Sequence, residues 1–267
     1  MLRLFLRLLF VAFLLLDVAL LEPASLVVRT ERVHPAGWNA PPLRVALLSD
    51  LHIGSPWNDL DRLRDIVART NALEPDLVLL LGDYDINGIP GGQKVRPKDW
   101  APILGDLHAR QGVYAVLGNH DWWNDEAAIQ GALEESGIPV LENRALHLDG
   151  LWLVGIGDEM TKHDKVRAAL SRVPKSATVL AMTHGPAVFD DPAFTADLLV
   201  AGHTHGGQIS FPLLGAPAIP DGPVRGHYTR HGRDLWVTSG VGTSILPFRL
   251  GVPPEIVLLE VRAPDRV

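Results

Sequence analysis

Five short clusters along the chain combine aspartate, asparagine and histidine: Asp50-Leu51-His52, Gly82-Asp83, Gly118-Asn119-His120-Asp121, His184 and Gly202-His203-Thr204-His205. All of these side chains offer nitrogen or oxygen donors, a set that accommodates manganese, iron or zinc. The chain contains no cysteine, which removes disulfides, thiolate ligands and cysteine nucleophiles. The chemistry open to such a set is metal-assisted hydrolysis: a metal acidifies water at neutral pH, and two ions about 3.5–4 Å apart clamp both the attacking and the leaving oxygen. Each cluster taken alone has a plainer reading. His52 or His184 is then a structural or surface histidine, Asp83 a helix cap, and Gly202-x-x-x-Gly206 a turn. The weight lies in their joint occurrence. His34, His108, His147, His163, His227 and His231 lack that support and read as structural or surface residues.

The elements that would position the clusters are legible around them. Apolar runs at 43–48, 77–81, 113–117, 178–182 and 198–201 read as strands, and each ends in one of the five clusters. Helical spacing at 58–73, with Leu60, Leu63, Ile66 and Val67 on one face, and further helices near 100–108, 124–135 and 165–170, separate them. Short β segments are expected near Val140, Leu146 and 151–154, and final strands at 235–238 and 255–261. Ligands of open α/β sheets bind beyond the carboxyl ends of the strands, so five polar clusters at that topological position can converge on one site.

The 267 residues carry a net charge of −7 with histidine counted as neutral. That opposes nucleic-acid duplex binding, which needs a basic face, but not an anionic substrate, because bound cations dominate the local charge. No protein partner is indicated. Residues 1–22 stand apart: 4–21 are apolar except for Arg7 and Asp17. Eighteen residues is near the lower limit for a spanning helix, and Arg3 and Arg7 ahead of the apolar stretch suit an exported body. The first reading is an uncleaved signal anchor, with the catalytic domain on the exported, periplasmic or extracellular, face. A cleaved signal peptide, an interfacial helix on the cytoplasmic face and a buried soluble helix compete with it. Residues 23–42, with Pro35, Gly37 and Pro41-Pro42, read as a linker, leaving 43–267 as one catalytic domain.

In order and spacing the five clusters resemble those of the calcineurin-like metallophosphoesterases, over about residues 43–261. His203-Thr204-His205-Gly206-Gly207-Gln208, followed by Gly240-Val241-Gly242-Thr243-Ser244 and Pro253-Pro254-Glu255, are similar to a membrane-associated bacterial branch of that family. The resemblance implies a four-layer αββα sandwich of two mixed sheets flanked by helices, here preceded by the N-terminal hydrophobic helix. It implies two divalent or trivalent ions, manganese, iron or zinc. One would take Asp50, His52, Asp83 and His205; the other Asp83, Asn119, His184 and His203, with Asp83 bridging. His120 would not ligate metal but would face the leaving-group oxygen, as general acid or stabiliser of charge. The activity implied is hydrolysis of a phosphodiester, pyrophosphate or phosphomonoester, with a lipid-linked or nucleotide-containing substrate at the membrane favoured. A non-catalytic metal-binding module of the same fold is the alternative.

One departure stands out. Many relatives carry Gly-Asp-x-x-Asp at the second motif, whereas Gly82-Asp83-Tyr84-Asp85-Ile86 puts Ile86 in place of the second aspartate. Asp85 is one residue early and, on a continuing strand, faces the other way. Something else must then orient His120. Two further features are singled out for the site's rim. Trp122 and Trp123 follow His120-Asp121, so at least one is expected beside the metals. The proline-rich apolar stretch 211–220 is either a substrate-binding surface or a cover packed on the core.

Overall fold

The computed structural model describes residues 2–211, 213–219 and 222–264. Two mixed sheets face each other. The first has the order β1-β11-β2-β3-β4 and the second β5-β6-β7-β8-β10-β9. The strands are β1 (Val27–Val33), β2 (Leu43–Leu48), β3 (Leu77–Leu80), β4 (Val113–Ala115), β5 (Arg144–Leu148), β6 (Leu151–Gly155), β7 (Val179–Met182), β8 (Leu198–Ala201), β9 (Gly226–Arg230), β10 (Arg233–Val237) and β11 (Glu255–Val261). The helices are α1 (Leu2–Leu16), α2 (Glu22–Ala24), α3 (Leu60–Ala72), α4 (Pro97–Leu104), α5 (Asn119–Asn124), α6 (Glu126–Glu135) and α7 (Val166–Leu170).

The layering follows from strands that are apolar on both faces. Side chains alternate along a strand. In β2, Val45 and Leu47 therefore enter the core between the sheets, while Ala46 and Leu48 face the helices. β8 repeats the pattern: Leu198 and Val200 meet the first sheet, and Leu199 and Ala201 turn outward to Phe189 and Phe194. On the outer face of the first sheet lie Leu63 and Ile66 of α3, Trp100 and Leu104 of α4, and Ile129 and Leu133 of α6. Four layers result, as the resemblance implies. β2, β3 and β4 run parallel in the first sheet, and β7, β8 and β10 in the second. Their carboxyl ends therefore gather at one edge of the sandwich.

Two expectations change. Residues 23–42 are not a free connector: β1 lies inside them and pairs in parallel with β11 through all seven of its residues, Val27↔Glu255 to Val33↔Val261. Its half-exposed polar pattern, with Arg29, Thr30, Glu31 and Arg32, is that of an edge strand. The spanning helix expected at the N-terminus is not found among the described residues. The α-helical part of the apolar stretch is 15 residues, about 22 Å at 1.5 Å per residue against the roughly 30 Å of a bilayer core. No helix among the described residues is long and apolar enough to cross a membrane. At Asp17–Leu21 the hydrogen bonding widens to a π turn. There the chain is tied to the domain: Val18 O accepts the N–H of Arg249, and Glu22 accepts those of Gly251 and Val252.

Candidate metal centre

Each expected ligand sits just past a strand end, and most do so in an uncommon backbone state. Asp50, His52, Asp83, His203 and His205 have φ of 52°, 40°, 57°, 68° and 49°. Positive φ in non-glycine residues costs about 1–3 kcal/mol each and clusters at functional sites. The conformation turns the side chains off the strand axes into the gap between the sheets. Glycines make room where backbones cross. A Cβ on Gly118 would collide with the Asp83 carboxylate and come within 2.8 Å of His184, and one on Gly202 would strike Ser49 and lie 2.6 Å from Asp50 Oδ2.

Seven side chains converge there. His205 Nε2 lies 3.3 Å from Asp50 Oδ1 and 3.1 Å from His52 Nε2. On the other side, His184 Nε2 lies 3.1 Å from Asn119 Oδ1 and 3.2 Å from His203 Nδ1. Asp83 joins the two groups, its Oδ2 3.6 Å from His52 Nε2 and 3.3 Å from His184 Nε2. Asp50, His52 and His205 thus form one nest able to hold a cation, and Asp83, His184 and His203 another.

The donor chemistry fits a pair of cations. His52 Nδ1 is 3.0 Å from the carbonyl of Asp85, and His184 Nδ1 is 2.7 Å from that of Leu81. A carbonyl only accepts, so Nδ1 carries the proton in both rings and Nε2 turns its lone pair into the nest. His52 Nε2 and His205 Nε2, buried 3.1 Å apart, can share a proton as an N–H···N hydrogen bond or turn both lone pairs to a cation. Burial pushes His205 down to about 3, which keeps it neutral, as ligation requires. Burial works against ionisation of Asp83, but contact with His184 and His52 overrides it and holds the carboxyl below its usual range; the same contact raises His184, whose Nε2 proton a bound cation would displace.

Asp121, part of the third cluster yet without a role in the sequence reading, holds the frame. It is fully buried and accepts the N–H groups of Gly118 and Asp83, both at 2.8 Å, and of Tyr84 at 2.9 Å. It thereby ties the turn after β3 to the start of α5. The Asp85 carboxylate points away and pairs with Lys94 Nζ at 3.1 Å; β3 ends at Leu80, so the turn after it and not the alternation of a continuing strand sets this direction. Arg249 gave the least warning, a single cation inside the apolar run 245–250. It is wholly buried, and its guanidinium donates to the carbonyls of Ser239, Gly240, Gly242 and Val252. The loop after β10 is wound around it, and the backbone of that loop packs against Asp50 and His52 through Gly240 and Gly242.

His120, half-buried, lies beside the two nests. Its backbone N–H donates to Asp83 Oδ1 at 2.9 Å, and its ring packs on His52 and Trp123 with centroids 4.9 and 5.2 Å away. It opens onto a cavity of about 560 Å³ walled by Asn119, His203 and His205 at its floor and by Trp123, Met160, Ile219, Ile245 and Leu246 at its rim. Trp123 is the tryptophan at the rim; Trp122 stacks on His163 at 3.6 Å instead. Of the apolar stretch 211–220, Pro212 and Pro220 lie outside the described residues, and the cover reading fails for its tip. Leu213 and Leu214 are 97% and 81% exposed, while Pro217, Ala218 and Ile219 line the cavity.

Comparison with known proteins follows the same lines. Residues 43–207 match the family model described as calcineurin-like phosphoesterase. The chain is 32% identical over 238 residues to a phosphodiesterase of Escherichia coli, YaeI, covering 84% of this chain and 83% of that protein. It is 29% identical over 231 residues to the metallophosphoesterase YkuE of Bacillus subtilis, covering 82% and 79%. To a metallophosphoesterase of Helicobacter pylori it is 30% identical over 227 residues, covering 82% of this chain and 60% of that protein. The chain spans about 60% of the length of the Helicobacter and Campylobacter relatives it matches.

Proposed function

We propose, from the premise that this chain belongs to the calcineurin-like phosphoesterase family, that it hydrolyses a phosphodiester or pyrophosphate bond in a substrate with an apolar arm. Membership supports a metal-dependent phosphoester hydrolase; turnover, the bond, the arm and the residue roles are our reading. One ion would be held by Asp50, His52, Asp83 and His205, and the other by Asp83, Asn119, His184 and His203. The observation that carries this assignment is Asp83 Oδ2, placed between His52 and His184 at 3.6 and 3.3 Å. Two such ions supply an acidified water and neutralise charge on the ester oxygens.

The protein's own residues do the rest. The carbonyls of Asp85 and Leu81 fix the histidine tautomers. The neutral amide of Asn119 keeps the second nest less negative than a carboxylate would. His120 faces the cavity, where it can donate to the leaving-group oxygen. The apolar arm is supported by the cavity wall and by the exposed Leu213, Leu214 and Ile245 beyond it, since apolar patches of this kind mark binding surfaces. A lipid-linked phosphate fits that wall. α1 exposes Leu4, Phe5 and Leu8 beside Arg3 and Arg7, a composition suited to lying along an anionic lipid surface. The test is turnover by the purified chain with added manganese. Bis(4-nitrophenyl) phosphate should be hydrolysed, and a 4-nitrophenyl ester with a dodecyl arm should show a lower KM than its ethyl analogue. Two bound metals without turnover of either would make the chain a binding module, and equal KM values would remove the apolar arm.

A further inference from the structure

His120 lacks the carboxylate that a second-motif aspartate would bring. Ile86 is buried and apolar, and the Asp85 carboxylate is taken up by Lys94 and the N–H of Ile86. The polar group that faces the ring is the hydroxyl of Ser244, with Oγ 3.5 Å from His120 Nε2. His120 Nδ1 is buried with no hydrogen-bond partner, so Ser244 is the one side chain hydrogen-bonded to this imidazole among the described residues.

We propose that Ser244 is the positioning residue of His120 and that Gln208 holds Ser244 in place; this rests on the hydrolytic reading above. The Gln208 side chain spans a strained turn. Its Oε1 accepts the N–H of Ser244 at 2.8 Å, and its Nε2 donates to the carbonyl of Leu246, also at 2.8 Å. Between these two bonds lies Ile245 at φ 65°, a genuine outlier for a β-branched residue. Such a conformation persists only where its surroundings over-determine it. Here the clamp on either side of Ile245 does so, reinforced by the Arg249 carbonyl cage below. Gln208 is itself fixed by the metal-site loop: its N–H donates to His205 O at 2.9 Å, and its carbonyl accepts from Leu250 at 3.0 Å. The geometry of the His203–His205 loop is thus passed, through one amide side chain, to the hydroxyl that meets His120.

A hydroxyl suits the task in a way a carboxylate does not. It can accept from a protonated ring nitrogen or donate to a bare one, so it holds the ring plane in either state without adding negative charge near the phosphate; because Nδ1 is buried, Nε2 is also the nitrogen that would donate, and the hydroxyl holds it until the leaving-group oxygen takes its place. Had Ser244 been a turn residue only, its hydroxyl could have pointed to solvent, and Gln208 need not have reached both sides of Ile245.

The test uses the full chain loaded with manganese and two esters, bis(4-nitrophenyl) phosphate with a good leaving group and diphenyl phosphate with a poor one. Ser244→Ala should slow diphenyl phosphate roughly 10-fold in kcat, a fraction of what general acid catalysis provides, and barely slow the nitrophenyl ester. KM and metal content should stay unchanged. Ser244→Thr should restore most of the loss. In a His120→Ala background, Ser244→Ala should cost nothing further, the mark of two residues acting through one interaction. Gln208→Ala should shift the same leaving-group dependence in the same direction. Equal losses on both esters, a full extra loss in the His120→Ala background, depleted metal or no rescue by threonine would each overturn the role of Ser244; a silent Gln208→Ala would overturn the clamp. Failure of the hydrolytic reading shows separately, as a wild-type chain that binds two metals and turns over neither ester, and it would take this proposal with it.

Discussion

The floor and the rim of the cavity are built on opposite principles. At the floor and directly beneath it, Asn119, Asp50, His52, Asp83 and His184 are at most 2% exposed, and each is held by backbone groups or by a neighbouring ligand. At the rim, Leu213, Leu214 and Ile245 are 97%, 81% and 78% exposed. The floor comes from five strand ends of two sheets, so its shape is fixed by the registers of β2, β3, β4, β7 and β8. The rim comes from the loops after β8 and β10, with Trp123 of α5 and Met160 after β6, and its apolar tips are exposed. The difference separates reaction from choice of substrate: the floor tolerates almost no change, whereas the rim can vary without cost to the core.

The strongest way to break this division is to attack the floor. Asp83→Asn keeps the shape but removes the charge that joins the two nests. Even outer partners of metal ligands are worth about 10–100-fold in affinity, so loss of a shared ligand should weaken both ions by more than about 100-fold and abolish turnover. Elemental analysis and kinetics on one sample check this. Two equivalents of metal with unchanged activity would remove Asp83 from its bridging role.

Between floor and rim stands Arg249, whose burial pushes its pKa down to about 10. Arg249→Met keeps much of the volume but leaves carbonyls of Ser239, Gly240, Gly242 and Val252 without their donor. At about 1–3 kcal/mol for each unsatisfied buried group, partly relieved by water, the cost should be roughly 3–5 kcal/mol, or a fall in Tm of about 10 °C. Differential scanning calorimetry would read it. A Tm within 2 °C or so of wild type would mean that the loop does not depend on this cation and that the rim is more autonomous than described.

Both regions were unequally legible in the sequence. The floor was readable because its residues lie in short motifs directly after apolar runs, and β2, β8 and β11 have the predicted bounds. Others shifted by a residue or more: the third strand run ends at Ala115 rather than 117, since the backbone already turns toward Gly118. β1 was missed because an edge strand with Arg29, Glu31 and Arg32 lacks a buried strand's apolar run. α5 was hidden inside the motif that it presents, too short at six residues for periodicity to appear. The parts of the site that went unassigned act through long-range contacts. Ser244 meets a histidine 124 positions away, and Arg249 works through carbonyls, which no residue type announces.

The mildest change sharpens the comparison from the other side. Leu213→Ser with Leu214→Ser alters the two most exposed apolar side chains of the rim. Packing on the core would make such a pair destabilising by several kcal/mol. At 97% and 81% exposure there is almost no buried area to lose, and surface changes of this kind usually stay within about 0.5 kcal/mol. Tm should therefore hold within about 2 °C. Metal content and turnover of a small soluble ester should hold too, because neither residue touches a ligand. What should move is KM for a long-chain lipid phosphate presented in vesicles, where each leucine can bury its side chain for about 1.5–3 kcal/mol. Interfacial contact is partial, so a 5- to 10-fold rise in KM, about 1–1.4 kcal/mol, is expected. Equal KM changes for the soluble and the lipid ester would show that these leucines serve the chemistry of the floor rather than the selection of an apolar arm. An unchanged lipid KM would leave the floor as it is and deny the rim the role proposed for it.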